Sequence, residues 1–267
     1  HMPLARLVGG TYVGKVLHEV YEHIDTSAPD LKAEVDAQCR RLITGALLRD
    51  EIDRIIDGIH LSLTTPLGPN LGNETLAAIG SDHRLAELNF EMAVTELTAE
   101  VRVSDFGRIL RDVIPAGDVL SDYVDTLTHE SFDIGLAGLI NGSIDAVLQL
   151  GTDDNPQLWI TDYKSNRLDQ DGDDTLIAAY GQERLFEAMA HHHYPLQALI
   201  YGTAMYRYLR WRAPQLSNHS HHVKGFSYFF IRGMVGPTTP PNTGVFTWQA
   251  PPELWQRLSD RLAGDAL

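Results

Sequence analysis

The sequence predicts an α/β domain in which helices flank a mixed central β-sheet. Two stretches read as strands. From Gly142 to Lys164, apolar runs at Leu139–Leu150 and Leu158–Tyr163 enclose Gly151-Thr-Asp-Asp-Asn-Pro156, which is dense in turn formers and marks a β-hairpin. From Gly225 to Ile231, GFSYFFI is nearly continuous in apolar and aromatic residues, as a strand buried on both faces is. Around them lie segments whose apolar residues recur at helical spacing, and this alternation of periods is the signature of helices packed on a sheet.

The first helix spans Thr11 to Ile24, with Val13, Val16, Leu17, Val20 and Ile24 on one stripe. His18 sits at the edge of that stripe. Gly14, one turn earlier, lacks a side chain and leaves room for a metal or a strand to approach the imidazole. Taken alone, a histidine beside an apolar stripe is more often a satisfied structural residue. A longer amphipathic helix is expected over Leu31–Ile59, with Val35, Leu42, Ile43, Leu47, Ile52, Ile55, Ile56 and Ile59 on its packing side. His60 to Gly80, with Pro66, Gly68, Pro69, Asn70 and Gly72, reads as a loop able to reach over a site. Arg84 to Val94 alternates as the first strand of the sheet, and Arg108 to Thr128 reads as helical or irregular without a motif.

The hairpin concentrates the chemistry. A turn centred on Asp153 and Asp154 sets Asp145 opposite Asp162, Val147 opposite Ile160 and Ser143 opposite Lys164, all on one face. Carboxylates facing each other across a ladder sit about 5 Å apart at their β-carbons and repel. Lys164 on the same face neutralises part of that charge, and a hard divalent cation such as Mg²⁺ or Mn²⁺ between the aspartates would neutralise more. An ordinary hairpin with charges on a solvated face is the other reading. Val147 and Ile160 make the same face apolar further along, so the charged cluster ends a buried face.

Leu168 to Asp174, LDQDGDD, lacks the glycine at position six and the glutamate at position twelve of a calcium loop and reads as solvated. A helix is expected from Asp174 to Ala190. His191, His192 and His193 are adjacent, and successive helical residues point about 100° apart, so they do not converge on one ion. The helix from Tyr194 to Arg210 places Gln197 and Tyr201 one turn apart on a face shared with Met205 and Tyr208. An amide and a phenol there suit hydrogen bonding to a phosphate or to the surroundings of Lys164. A proline-rich loop, Pro237–Pro241, and a helix from Pro252 to Leu262 follow.

At 267 residues the chain is long enough for one large domain, or at most two, with a sizeable core. His1-Met2 reads as a cloning scar and is set aside. Nothing resembles a signal peptide or a membrane-spanning run. The lone cysteine, Cys39, excludes an intramolecular disulfide, a zinc ribbon and a four-cysteine iron-sulfur cluster, and fits a reducing cytoplasm. The net charge of −15 votes against a polyanionic partner, since affinity for DNA normally begins with cations on phosphates. Arg207, Arg210 and Arg212 form the densest basic segment, suited either to a phosphate backbone or to a helix C-terminus.

In chain order, GxxxH (Gly14, His18), GxxD (Gly142, Asp145), DxK (Asp162, Lys164) and QxxxY (Gln197, Tyr201) resemble the RecB-type nuclease family of the PD-(D/E)XK superfamily. The longer strings GSIDAVLQL, DYKSNRL and HHHYPLQALIYGTAMYRYLR, with GFSYFFIRG and NTGVF, are similar to its C-terminal nuclease domain and cover much of Gly135 to Phe246. The resemblance implies a restriction-endonuclease-like fold over residues 3–267, excised from a larger helicase-nuclease. It implies a Mg²⁺-dependent deoxyribonuclease, with Mn²⁺ as a substitute, that cuts as an exo- and endonuclease and leaves 5′-phosphates during double-strand-end processing and recombinational repair. His18, Asp145, Asp162 and the Tyr163 carbonyl would hold the metal. Asp145, Asp162 and Lys164 would carry the chemistry, and Gln197 and Tyr201 would position substrate. The family also places an acidic residue before an apolar strand. Glu87 fits, Glu91 competes, and both fit solvent-facing strand carboxylates as well.

Implied partners are DNA, as single strands from unwound ends, the helicase portion of the same chain, and RecC- and RecD-like subunits that hand a strand to an acidic domain. Two other classes stay open: a catalytically inactive module for DNA binding or assembly, and a metal-dependent hydrolase of another substrate.

Overall fold

The hairpin forms the middle of a five-stranded sheet. The structure, a computed structural model, describes residues 2–94, 100–168 and 176–264. In chain order the described elements are α1 (Thr11–His23), α2 (Leu31–Leu42), α3 (Ala46–Arg49), α4 (Ile52–Leu63), α5 (Leu76–Ile79), β1 (Arg84–Val94), β2 (Val101–Arg102), α6 (Val103–Val113), α7 (Ser121–Thr128), β3 (Gly135–Leu136), β4 (Gly138–Thr152), β5 (Asn155–Lys164), α8 (Gln182–His191), α9 (Tyr194–Arg212), α10 (His219–His222), β6 (Val223–Phe230), β7 (Val245–Gln249) and α11 (Leu254–Leu262). The sheet order is β1-β4-β5-β6-β7. Its pairs are antiparallel except β5 with β6, so the sheet is mixed and helix-flanked, a restriction-endonuclease-like α/β arrangement as expected.

Each face of the sheet carries its own core. On one face α1, α2 and α4 bury Val20, Tyr21, Val35, Ile55 and Ile59 against Ala146, Leu148, Trp159, Tyr163 and Phe229. On the other, α6, α7, α8, α9 and α11 cover Val147, Leu158, Ile160, Phe226, Tyr228 and Phe230. Successive residues of β5 and β6 thus alternate between two buried layers, which is why both strands read as continuous apolar runs.

Several boundaries differ from the sequence reading. The helix expected over Leu31–Ile59 is broken into α2, α3 and α4. The chain leaves helical geometry at Ile43, a Cβ on Gly45 would meet the Tyr12 hydroxyl, and Leu47, expected on the packing side, is exposed while Leu48 is buried. The loop expected from His60 begins later, because α4 runs to Leu63. That segment does not lie over the charged cluster. Asn70 Nδ2 donates to Thr247 Oγ1 on β7 at 3.0 Å, and residues from Pro66 to Asn73 line a cleft with residues from Thr239 to Thr243.

The helix expected from Asp174 begins as a 3-10 turn, Leu176–Tyr180, and becomes α-helical only at Gln182, after Gly181. Asp174 itself, and the LDQDGDD stretch beyond Leu168, lie outside the described residues. Strand β7 was not anticipated. It is a short edge strand that closes on β6 from Gly225 opposite Gln249 to Phe229 opposite Val245.

Candidate metal centre

The β4–β5 ladder runs from Thr152 opposite Asn155 to Ala146 opposite Thr161, the register set by a turn at Asp153 and Asp154. One step further, the ladder gives way to a side chain: Asp145 Oδ2 accepts the Tyr163 N–H at 2.9 Å. On the opposite edge, β1 pairs with β4 in one register on both sides of Asp145, while Glu87, which stands across from it, is left out of the pairs and takes φ 50°. A left-handed glutamate within a strand is uncommon. Asp145 therefore sits at a local break in both ladders.

Helix α1 brings His18 to this break. The Tyr21 ring stacks on Tyr163 with centroids 4.2 Å apart and planes 11° from parallel. Arg84, from β1, donates to the carbonyls of Tyr21 at 2.7 Å and Ile24 at 2.5 Å, placing a cation at the C-terminal end of α1. Held so, His18 Nδ1 lies 3.3 Å from Asp145 Oδ2, and its Nε2 bonds the Tyr163 carbonyl at 2.5 Å. Gly14 lies against Ser165, where an added Cβ would make an ordinary contact at 3.5 Å, so access to His18 does not require a glycine there.

Asp162, buried on the α9 side, completes the cluster. One ligand atom from each of His18, Asp145 and Asp162 lies within 4.8 Å of the others. The Lys164 ammonium is 2.7 Å from Asp162 Oδ1, yet that buried oxygen has no hydrogen bond of acceptable geometry. An under-satisfied buried carboxylate oxygen, a second carboxylate, an imidazole and a backbone carbonyl make a donor set that fits a hard divalent cation.

The titration of the cluster follows from its geometry. Burial pushes Asp162 up to about 7, with the Asp145 charge adding and Lys164 opposing. Burial acts the same way on Asp145, but the His18 hydrogen bond and charge outweigh it and hold this carboxyl below the usual range. Burial pulls His18 down, but the bond to Asp145 and the two carboxylate charges reverse this and raise it.

Around Lys164 lies a second layer. Its ammonium sits 3.9 Å from the centre of the Tyr194 ring and 5.1 Å from that of Tyr228, and donates to Gln197 Oε1 at 3.4 Å. The same Gln197 oxygen accepts the Tyr228 hydroxyl at 2.8 Å, and Gln197 Nε2 donates to the Tyr201 hydroxyl at 3.0 Å. Tyr201 packs edge-on against Phe90. An added Cβ on Gly142 would stand 2.9 Å from Phe90 and 3.4 Å from Tyr201, so the glycine of GxxD is there for the close approach of these rings. Gln197 and Tyr201 thus stand behind the lysine.

Tyr194 and Tyr228 escaped the sequence reading. Tyr228 stands beside Asp162 in the parallel β5–β6 register, which no local pattern encodes.

Other candidates fall elsewhere. Exposed Glu87 lies outside the cluster. Burial and the neighbouring Glu87 carboxylate raise the Glu22 carboxyl. Glu91 is exposed on β1 opposite Asn141. None of His191, His192 and His193 joins the cluster, and His193 takes the left-handed position that starts α9. Arg207 braces α9 to α11 through Ser259 at 2.9 Å, whereas Arg210 and Arg212 lie over the rings of Tyr206 and Trp211.

No protein-family model matches the chain. Over 277 aligned residues it is 40% identical to the RecBCD enzyme subunit RecB of Mycobacterium tuberculosis, covering 97% of this chain and 24% of that protein. RecB subunits are homologues of nearly the whole of this chain. The subunit of the same name from Mycolicibacterium smegmatis is 39% identical over 99% of the chain and 25% of its own length, and RecB of Escherichia coli is 25% identical over 97% and 20%. The chain spans about a quarter of the length of the mycobacterial RecB proteins it matches. Among the described residues of this RecB homologue, no helix is long and apolar enough to cross a membrane.

Proposed function

We propose that the chain is the nuclease module of a RecBCD-type helicase-nuclease, a Mg²⁺-dependent deoxyribonuclease, with Mn²⁺ as a substitute, that trims unwound double-strand ends for recombinational repair in the cytoplasm. The observation that carries this reading is the convergence of His18, Asp145 and Asp162 beside Lys164, in a chain of RecB ancestry. A cation held by His18, Asp145, Asp162 and the Tyr163 carbonyl would polarise the scissile phosphate and acidify a water.

The chain's own groups do the rest. In the reaction the water oxygen bonds to phosphorus as the bond to the 3′ oxygen breaks. The water gives up a proton, the leaving oxygen gains one, and the products are a 5′-phosphate and a 3′-hydroxyl. Lys164 stabilises the charge that builds on the phosphate, and it is held for this by the rings of Tyr194 and Tyr228 and by Gln197. Gln197 and Tyr201 act on substrate position by way of this lysine. The strand would come from the helicase portion of the same polypeptide and from RecC- and RecD-like subunits.

A nuclease-fold module without catalysis is the alternative, and the complete set of two aspartates, lysine and histidine speaks against it. Incubation with linear and supercoiled DNA decides between them. Cleavage is expected with Mg²⁺, and none in EDTA or with Asp162→Ala. A wild-type protein inert with both Mg²⁺ and Mn²⁺ would leave the inactive module as the better account.

A further inference from the structure

Beside the metal centre, on the α1 side, opens a cleft of about 520 Å³ lined by residues of Gly9–Lys15, by His18, by Tyr163–Arg167 and by Tyr194. Its charge is at odds with the molecule that carries it. The chain holds 36 aspartates and glutamates against 21 lysines and arginines. Yet among the described residues lining the cleft none is acidic, and three, Lys15, Lys164 and Arg167, are cationic. Lys15 is exposed and makes no ion pair among the described residues, although carboxylates abound elsewhere on the surface. A concave wall of one sign on a surface of the other is a selective feature for a ligand of charge opposite to the wall.

The backbone adds to this. Gly9 and Gly10 open the cleft with nothing within 4 Å of where a Cβ would stand, and Gly10, at φ 116°, begins α1 without a side-chain cap. The N–H groups of the first turn are left to an outside acceptor. The cleft shares His18, Tyr163 and Lys164 with the metal centre, so what it binds is continuous with what is cut there.

We infer that this cleft seats the phosphodiester neighbouring the scissile one, with Lys15 and Arg167 as its cationic contacts. This rests on the reading of the chain as a nuclease and adds to it the path of the strand: the backbone leaves the metal centre across the start of α1. Phosphate contacts of this kind fix register without reading sequence. Lys15 and Arg167 are binding residues here, separate from the group that acts on the reacting phosphate.

The test uses single-stranded oligonucleotides carrying one neutral methylphosphonate at successive positions, with wild type, Lys15→Ala, Lys15→Glu and Arg167→Ala. With the all-phosphate strand, Lys15→Ala should raise KM about tenfold with kcat nearly kept, and the salt dependence of binding should be shallower by about 0.7 in log–log slope, the share of one phosphate contact on a single strand. Lys15→Glu should raise KM further. In wild type, one methylphosphonate adjacent to the cut should reproduce the Lys15→Ala loss, and in Lys15→Ala that same substitution should cost nothing more. Wild-type KM in both Lys15 variants, or a loss equal at every methylphosphonate position, would overturn the assignment while leaving the nuclease reading intact. A wild-type protein that neither binds nor cuts the all-phosphate strand would overturn both.

Discussion

Asp162 and His18 hold protons that the unfolded chain would release earlier, and this gives the metal-free protein a distinctive pH dependence. Asp162 is raised to about 7 by burial, whereas an unfolded aspartate titrates near ~3.9. Its contribution to stability is complete below the unfolded value and is lost as pH rises through about 7. His18, raised by Asp145 and Asp162 in spite of burial, acts in the same direction. Asp145 acts in the opposite one: its stabilisation is present above the unfolded value and is lost as pH falls through its lowered pKa. In EDTA, Tm should therefore decline from about pH 5 to pH 8 by several degrees, and Asp162→Asn should flatten that decline. A Tm independent of pH over this range in wild type would remove Asp162 as a buried proton carrier. At this scale the motif residues were legible, because short spacings on one strand or one helix turn fix which side chains share a face. Tyr228 and Tyr194 were not, since their place beside Lys164 depends on a parallel pairing between β5 and β6, strands far apart in the chain.

Between elements, the centre depends on how α1 is tied to the end of β5. Arg232, 2% exposed, donates to the carbonyls of Leu4 at 2.6 Å and Leu7 at 2.8 Å and, through Nε, to that of Ser165 at 2.8 Å. One guanidinium thereby joins the segment before α1 to the residue after Lys164. Arg232→Lys keeps the charge but loses the fork of donors, leaving buried carbonyls unmet. In urea melts it should lose on the order of 3 kcal/mol, and a loss too small to measure would show that the segment before α1 is held by other contacts. The strands of this frame were readable to within a few residues from alternation and turn chemistry. The helix break at Ile43–Gly45 was not read, although Ile52, Ile55 and Ile59 are turned by about a quarter of the helix circumference or more from Val35 and Leu42, so a change of phase marked it. Strand β7 was missed for a different reason: five residues on an edge carry too short a period to stand out from a loop.

Across the whole molecule, a net charge of −15 opposes any polyanion, and the cationic cleft and the arginines of α9 neutralise only a few phosphates. Isolated, the chain should bind single-stranded DNA with a Kd in the range of roughly 1–100 µM at physiological salt and lose affinity steadily as salt is added. Attached to a helicase that delivers the strand at high effective concentration, it should cut far faster with the same dependence on Asp162. Nanomolar, salt-insensitive binding by the isolated chain would contradict this view of an acidic module fed by its neighbours. The charge balance was plain in the sequence, but the gathering of Lys15, Lys164 and Arg167 in one cleft with no carboxylate among its described lining residues emerges only when α1 is laid beside the end of β5. The central claim is that His18, Asp145 and Asp162 form one divalent-cation site with Lys164 beside it and not part of it. Calorimetric titration of Mn²⁺ into the metal-free protein tests this most directly. One saturable site is predicted in wild type and in Lys164→Ala, since an ammonium does not ligate a cation. That site should be weakened in His18→Ala and absent in Asp162→Ala, and Mn²⁺ binding of wild-type strength in Asp162→Ala would contradict it.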